Sequence, residues 1–282
     1  IFVIAVACIV TVVGAANTGR IIGGNISIAA QFPYQISLRM NNAHICGGSI
    51  IASNYILTAA HLHRISNQNC AILIVQESPP PCRYDAKYFK VRAGTHNRIA
   101  GGVIVPVKRI SVHNTTDIAV LELENHLVFS EKIQPIAMAT EEVPAGSKVI
   151  ASGWGLDVNK GDSLPIVLKW AYLKVITSIK CVWKIGMPAE RDSLLCLDHP
   201  SGEGACQGDS GGPAVYNGTL VGVAGFVIIK CGGFIPDASL LGTLNDISLF
   251  VKRITADVNC RSITIFTTPS LDLQFSCLQL HL

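Results

Sequence analysis

Charge is scarce in this sequence: Asp, Glu, Lys and Arg make up 15% of its 282 residues, and the formal net charge is +3. That excludes a long disordered tract, which needs high net charge and low hydrophobicity to resist collapse. Lysines and arginines are scattered along the chain rather than clustered, so no basic arm and no nucleic-acid partner are expected. No G-x-x-x-x-G-K-[ST] phosphate loop occurs. A zinc centre made from His61, His63, Cys70 and Cys82 lacks the close C-x-x-C spacing of structural sites, so neither a metal nor a cofactor is expected.

What the chain does contain is a long apolar opening. Residues 1–16 are almost uninterrupted apolar side chains ending in Gly14-Ala15-Ala16, the pattern of a secretory signal peptide with a small-residue cleavage site. No Met precedes the run, so the signal is expected to be incomplete at its start. The run is shorter than the roughly 20 residues a spanning helix needs, so no membrane association is expected after cleavage. Ten cysteines behind such a leader predict disulfides and an extracellular, secreted protein.

Chemistry is concentrated in Gly208-Asp209-Ser210-Gly211-Gly212-Pro213. Glycines around a serine free backbone N–H groups and the hydroxyl to act on one carbonyl, which points to acyl transfer. Such a serine needs a base, a group orienting that base, and donors for the developing oxyanion. Thr58-Ala59-Ala60-His61 puts a histidine at the end of the apolar stretch Tyr55 to Ala60. Asp117-Ile118-Ala119-Val120-Leu121 puts a carboxylate just before another apolar run. Singly, such a histidine is more often a surface or core residue and such an aspartate a turn residue; the three in this order, with their neighbours, suggest one constellation.

Short strand candidates, among them Gln35 to Leu38, Phe89 to Ala93, Val103 to Val107, Lys148 to Ala151 and Leu220 to Val223, are separated by Gly-, Pro- and Asn-rich turns. The pattern predicts an all-β fold, with one late helix over Ser248 to Ala256.

On these residues the chain resembles the chymotrypsin/trypsin family of secreted serine endopeptidases, nearest in pattern to its arthropod chymotrypsin-like members. The match runs from Ile21-Ile22-Gly23-Gly24 through Cys231, with weaker echoes to Val258. The resemblance implies two antiparallel six-stranded β-barrels, a site in the cleft between them and a short C-terminal helix. The expected organisation is signal peptide 1–16, activation propeptide 17–20, protease domain 21–259 and an unassigned tail 260–282. Within the protease domain the first barrel is expected over 21–133 and the second over 134–259. It implies Ser210 as nucleophile, His61 as general base and then acid, Asp117 as the orienting carboxylate, and the N–H groups of Gly208 and Ser210 as oxyanion hole. Cleavage after Arg20 by a trypsin-like activator frees the Ile21 amine to pair with Asp209, so the intact chain is expected to be a zymogen. Disulfides Cys181–Cys196 and Cys206–Cys231 are implied.

By the same resemblance Gly204 is the floor of the substrate pocket and Gly225, Phe226 and Val227 its wall. An acidic floor would bind Lys or Arg; Gly204 cannot, and Val227 in place of a glycine narrows the entrance. The implied preference is chymotrypsin-like to elastase-like, for apolar side chains. Asp237, after Pro236, either faces the pocket and admits some basic side chains or is a turn residue. Protein or peptide substrates, protein protease inhibitors, a monomeric state and a digestive role complete the expectation.

Three departures stand out. Leu62 occupies the position where the family places the cysteine that bonds to Cys46, leaving Cys46 free, paired with Cys70 or Cys82, or bonded elsewhere. The segment Cys70 to Lys87 looks inserted, and Val112-His113-Asn114-Thr115-Thr116 is shorter than the family's usual loop. These changes motivate an alternative: a catalytically impaired homologue acting as a binding or regulatory module. Sequons at Asn25, Asn114 and Asn217 permit N-glycosylation in a secreted chain.

Overall fold

The computed structural model describes residues 24–63, 84–156, 163–185, 194–200, 204–226, 231, 237–240, 244–256, 263–266 and 274–277. A short edge strand, β1 (Asn25–Ile26), precedes a closed barrel. Its strands are β2 (Gln35–Met40), β3 (Ala43–Ala52), β4 (Tyr55–Ala59), β5 (Phe89–Ala93), β6 (Val103–Val112) and β7 (Ile118–Leu123), closing in the order β2-β3-β4-β7-β6-β5. Alternation drives the closure: Phe89, Val91 and Ala93 are buried while Lys90 is exposed and Arg92 half-buried. Ile36, Leu38, Ile56, Val91, Val107 and Leu121 meet inside as one core. Each buried Val, Leu or Ile contributes roughly 1.5–3 kcal/mol.

The second half comprises β8 (Lys148–Gly153), β9 (Lys169–Ile176), helix α1 (Ser178–Ile185), β10 (Leu194–Asp198), β11 (Pro213–Tyr216), β12 (Thr219–Phe226) and β13 (Asp237–Leu240). The sheet runs β1-β9-β10-β13-β12-β11-β8, and β8 also pairs with β9, so the strands from β8 to β13 return on themselves. Val149, Leu173, Val175, Leu197 and Val221 fill this second core. Helix α2 (Leu244–Ala256) follows, and β14 (Ile263–Phe266) pairs with β15 (Gln274–Cys277) in a separate hairpin within the tail.

Strands β4 and β7 are buried along their whole length. Ile56 and Leu121 point into the first barrel, whereas Tyr55, Leu57, Ala59, Ile118 and Val120 pack outward against Val215, Leu220 and Val223 of the second half and Ile247 and Val251 of α2. Two strands held on both faces make a rigid support, and the residues that follow β4 and precede β7 inherit it. The expected all-β, two-barrel architecture with a late helix is what the chain adopts. The late helix starts earlier than expected, at Leu244, and α1 is an addition that the strand pattern hid.

Candidate active site

His61 lies on a one-turn 3-10 helix, Ala60–His63, directly after β4. Asp117 directly precedes β7. Because β4 and β7 run antiparallel with Ala59 opposite Ile118, the two residues become neighbours despite their distance in sequence. The Ala60 N–H donates to the Asp117 carbonyl at 3.0 Å, closing the end of the ladder. The Asp117 carboxylate then takes two further bonds from His61, the backbone N–H to Oδ1 at 2.6 Å and ring Nδ1 to Oδ2 at 2.5 Å. A carboxylate only accepts, so Nδ1 carries the proton and Nε2 presents its lone pair outward.

The short 112–116 loop is well braced. His113 Nδ1 accepts from the Thr116 N–H at 3.2 Å and lies 2.8 Å from the Thr116 hydroxyl, while the ring packs edge-on against Phe250 of α2 with centroids 5.0 Å apart. Its brevity thus yields a turn tied to the C-terminal helix, with Asp117 at its end.

Ser210 lies on a loop of the second half that touches the first barrel. The loop before β11 is held by Asp209 N to Cys206 O at 3.0 Å, Gly212 N to Asp209 O at 2.9 Å and Gly211 N to Ala224 O at 2.6 Å. The Gly47 N–H on β3 donates to the Ser210 carbonyl at 2.8 Å, joining the loop to the first barrel. Contact is close enough to demand glycine: a Cβ on Gly211, whose φ is +78°, would stand 2.1 Å from Thr58 Oγ1 and 2.6 Å from the Gly47 carbonyl. Thr58 lies in the buried strand β4, three residues before His61. The Ser210 hydroxyl lies 3.5 Å from the Gly225 carbonyl, at the end of β12. Among the described residues, the N–H groups of Gly208 and Ser210 have no backbone acceptor.

Asp209 is buried at 4% exposure and its two oxygens accept from the N–H groups of Gly155 at 2.6 Å and Cys206 at 3.0 Å. Gly153 and Gly155 pass so close that a Cβ on either would lie about 2 Å from the carboxylate, at 2.0 and 2.2 Å. The disulfides Cys181–Cys196 and Cys206–Cys231 are formed, with Cα atoms 6.0 and 5.1 Å apart; the second anchors the Ser210 loop. Cys46 is a free, buried thiol. It sits in the first core, against which Leu62 also packs, and burial pushes its pKa far up, so it is an inert thiol.

One participant escaped the motifs. His44, on β3, places Nδ1 2.8 Å from the Ser37 hydroxyl and Nε2 3.0 Å from the Gly208 carbonyl. Burial holds its pKa down to about 4, so it is neutral, donating from Nε2 and accepting at Nδ1. That bond fixes the peptide between Gly208 and Asp209. The signal was present in the sequence only as a lone histidine across a hairpin from a serine.

Serine and histidine meet at 2.8 Å in Ser37–His44 and at 2.7 Å in Ser53–His126, yet neither of those rings is backed by a carboxylate among the described residues. His61 has that backing. Gly204, with φ +120°, and Gly225 are described near the Ser210 loop, and Phe226 and Asp237 only through their backbones. Arg20, Ile21, Val227, Cys70 and Cys82 lie outside the described residues. Among the described residues no three His, Cys, Asp or Glu side chains gather as a metal-ligand set.

Two β-barrels, with a carboxylate-backed histidine on the first and a glycine-flanked serine on the second, have the layout of a double-barrel serine peptidase. The trypsin family model matches residues 21–237. Serine protease SP24D of Anopheles gambiae is 38% identical over 223 residues, covering 77% of this chain and 75% of that protein. Trypsin alpha of Drosophila melanogaster is 36% identical over 215 residues, covering 73% and 76%. The fold matches neuropsin, a serine protease expressed in the limbic system of mouse brain, with a TM-score of 0.68 and 24% identity over 82% of this chain and 98% of that one. The chain belongs to the trypsin family and is a serine-type endopeptidase, acting on protein substrates.

Proposed function

We propose that this enzyme is secreted as a zymogen, activated by cleavage after Arg20, and that Ser210, His61 and Asp117 form its catalytic triad. The observation that carries the reading is the pair of hydrogen bonds from His61 to Asp117, one from the backbone and one from the ring, at the end of a strand pair buried on both faces. In this reading His61 Nε2 takes the hydroxyl proton as Ser210 Oγ attacks the substrate carbonyl carbon. The N–H groups of Gly208 and Ser210, free of other backbone acceptors among the described residues, receive the oxyanion. His61 then protonates the leaving amine, and water repeats the cycle to release the acid and restore Ser210.

The cleaved Ile21 amine pairs with Asp209 in the active form, a charge partner for a buried carboxylate that also accepts from two N–H groups. Leader removal after residue 16 makes the enzyme extracellular; among the described residues no helix is long and apolar enough to cross a membrane. Gly204, Gly225, Phe226 and Val227 form a pocket for apolar side chains, and the absence of an acidic floor separates this chain from an Arg/Lys-specific enzyme, although several relatives are named trypsins. Digestion of dietary protein, as a monomer restrained by protein inhibitors, fits this breadth.

The test has two readouts. Protein cleaved after Arg20 should take up a sulfonyl fluoride at Ser210, and intact protein should not. A panel of peptide anilides varied at the residue before the scissile bond should favour apolar side chains by about 1–3 kcal/mol per methylene. Strict Arg preference overturns the pocket assignment, and absence of labelling in folded, cleaved protein overturns the triad in favour of a binding module.

A further inference from the structure

We propose that Asn25 carries an N-linked glycan whose first sugar packs on Trp170 and Tyr172 and so fastens β1 to the second half of the fold. The inference rests on the secretory reading above, because this modification belongs to secreted chains. Asn25-Ile26-Ser27 is one of three sequons, and strand register sets it apart. β1 pairs antiparallel with β9, and Asn25 stands directly opposite Trp170. Opposed residues share a face of the sheet with Cβ atoms about 4.5–5.5 Å apart, and the diagonal neighbour stays within reach of long side chains. The exposed Asn25 amide is therefore beside the half-buried Trp170 ring, and Tyr172, 52% exposed, is the next residue on that face.

These rings are already braced. Trp170 meets Tyr172 edge-on with centroids 5.3 Å apart, Phe32 packs edge-on against Trp170 at 6.1 Å, and Lys148 Nζ lies 6.0 Å from the Tyr172 ring centroid. A ring held by its neighbours loses little freedom when a sugar covers it. The C–H face of a pyranose and the methyl of its N-acetyl group are apolar and bury aromatic surface that water otherwise wets. The other two sequons differ. Asn217, at φ +46°, adjoins Gly218 at the tip of the β11–β12 hairpin, where a Cβ on the glycine would meet nothing within 4 Å. Asn114 follows His113, whose ring packs against Phe250.

The third residue of the sequon supplies an independent observation. Ser27 is buried at 3% exposure, and its hydroxyl has no hydrogen-bond partner. Such a hydroxyl costs the folded state its desolvation and returns nothing. Its use falls before folding, when the acceptor sequence is read and must present Ser or Thr at this position. In the transfer, Asn25 Nδ2 forms a bond to C1 of the sugar and gives up one proton. The C1–O bond to a lipid-linked diphosphate donor breaks, and the diphosphate leaves with the electron pair.

The test produces the full chain in cultured mammalian cells behind a Met-initiated secretion signal, so that entry does not depend on residues 1–16. Glycosidase release in isotopically labelled water followed by peptide mapping should mark position 25 as labelled Asp. Ser27→Ala, which keeps Asn25 and breaks no side-chain hydrogen bond, should lose the mark. Proton NMR should place the N-acetyl methyl of the first sugar upfield of its free position, displaced by the ring currents. Glycosylated wild type should unfold about 2–4 °C above Asn25→Gln, and the difference should vanish in a Trp170→Leu background. If Trp170→Leu fails to fold, Tyr172→Ala, at an exposed strand position, should shrink both the NMR displacement and the thermal difference. An unmodified Asn25 in protein that reaches the medium, an undisplaced methyl signal, or a thermal difference indifferent to both ring substitutions overturns the proposal. Modification of Asn25 behind the added signal, with no secretion from the native leader, tells against the leader reading alone.

Discussion

His44 Nε2 lies 3.0 Å from the carbonyl oxygen of Gly208, so a buried side chain of the first barrel holds the loop that the second barrel presents. The bond spans the two halves of the fold and constrains the peptide next to Ser210. The neutrality of His44 depends on its burial against Trp154, with ring centroids 5.7 Å apart, since the bond to the Gly208 carbonyl by itself favours the protonated ring.

That dependence sets a pH signature. The folded pKa of His44 is lowered from 6.5 to about 4, chiefly by burial. Between these values the unfolded chain binds a proton that the folded chain does not, so stability falls as pH drops from 6.5 to 4, by about 3 kcal/mol. Urea unfolding across this range should show the slope in wild type and a flatter profile in His44→Gln. Parallel profiles for the two proteins mean that His44 is not the titrating group.

Asp117 serves His61 through two bonds, and they are separable. Asp117→Asn retains an acceptor for the His61 backbone N–H but presents an amide where Nδ1 needs a carboxylate. The other tautomer then becomes favoured, with Nε2 protonated and unable to accept from Ser210. Loss of kcat/KM should be about 10⁴-fold at neutral pH, the order associated with this exchange in a Ser-His-Asp triad, with the fold unchanged by circular dichroism. A loss below tenfold means that Asp117 does not orient the base.

The pairing of His61 with Asp117 was legible because their two stretches and that of Ser210 occur in one order with telling neighbours, although each stretch alone has a commoner structural reading. Strand limits were legible in part. Phe89–Ala93 alternates cleanly and matches its expected span, whereas β6 continues to Val112 and β12 to Phe226 beyond the apolar runs that marked them. Helix α1 was hidden by its brevity, since eight residues give barely two turns of periodicity. His44 was invisible because its value comes from Gly208, a partner 164 residues away. Arg39 and Lys90, distant in sequence, become neighbours through strand pairing, a property of register that no linear count contains.

Gly211 tests how tightly the two barrels are matched. Its φ of +78° disfavours any side chain, and a Cβ would collide with Thr58 Oγ1 and the Gly47 carbonyl. Gly211→Ala should destabilise the protein by at least about 2 kcal/mol, combining backbone strain with forced separation of β3 from the Ser210 loop. Thermal unfolding gives the first quantity, and the rate of sulfonyl fluoride labelling gives the second. A variant as stable and as reactive as wild type is incompatible with this contact.

Cys46 is buried and free, and Leu62 packs into the same first core while also touching the second apolar cluster that includes Tyr55 and Leu57. Leucine therefore supplies by packing what a covalent link would supply by restricting the unfolded chain. Leu62→Cys removes that packing, at a cost of about 2 kcal/mol for a partly buried aliphatic side chain. A disulfide between Cys46 and the introduced thiol, closing this short loop, would offset it by about 3 kcal/mol. The oxidised variant should thus unfold within a few degrees of wild type, and the reduced variant clearly below it. Thiol titration of unfolded protein, with and without prior reduction, reports whether the bond forms. If Cys46 remains titratable in the oxidised variant, Leu62 is not positioned opposite it, and the histidine loop is held by packing in a different register.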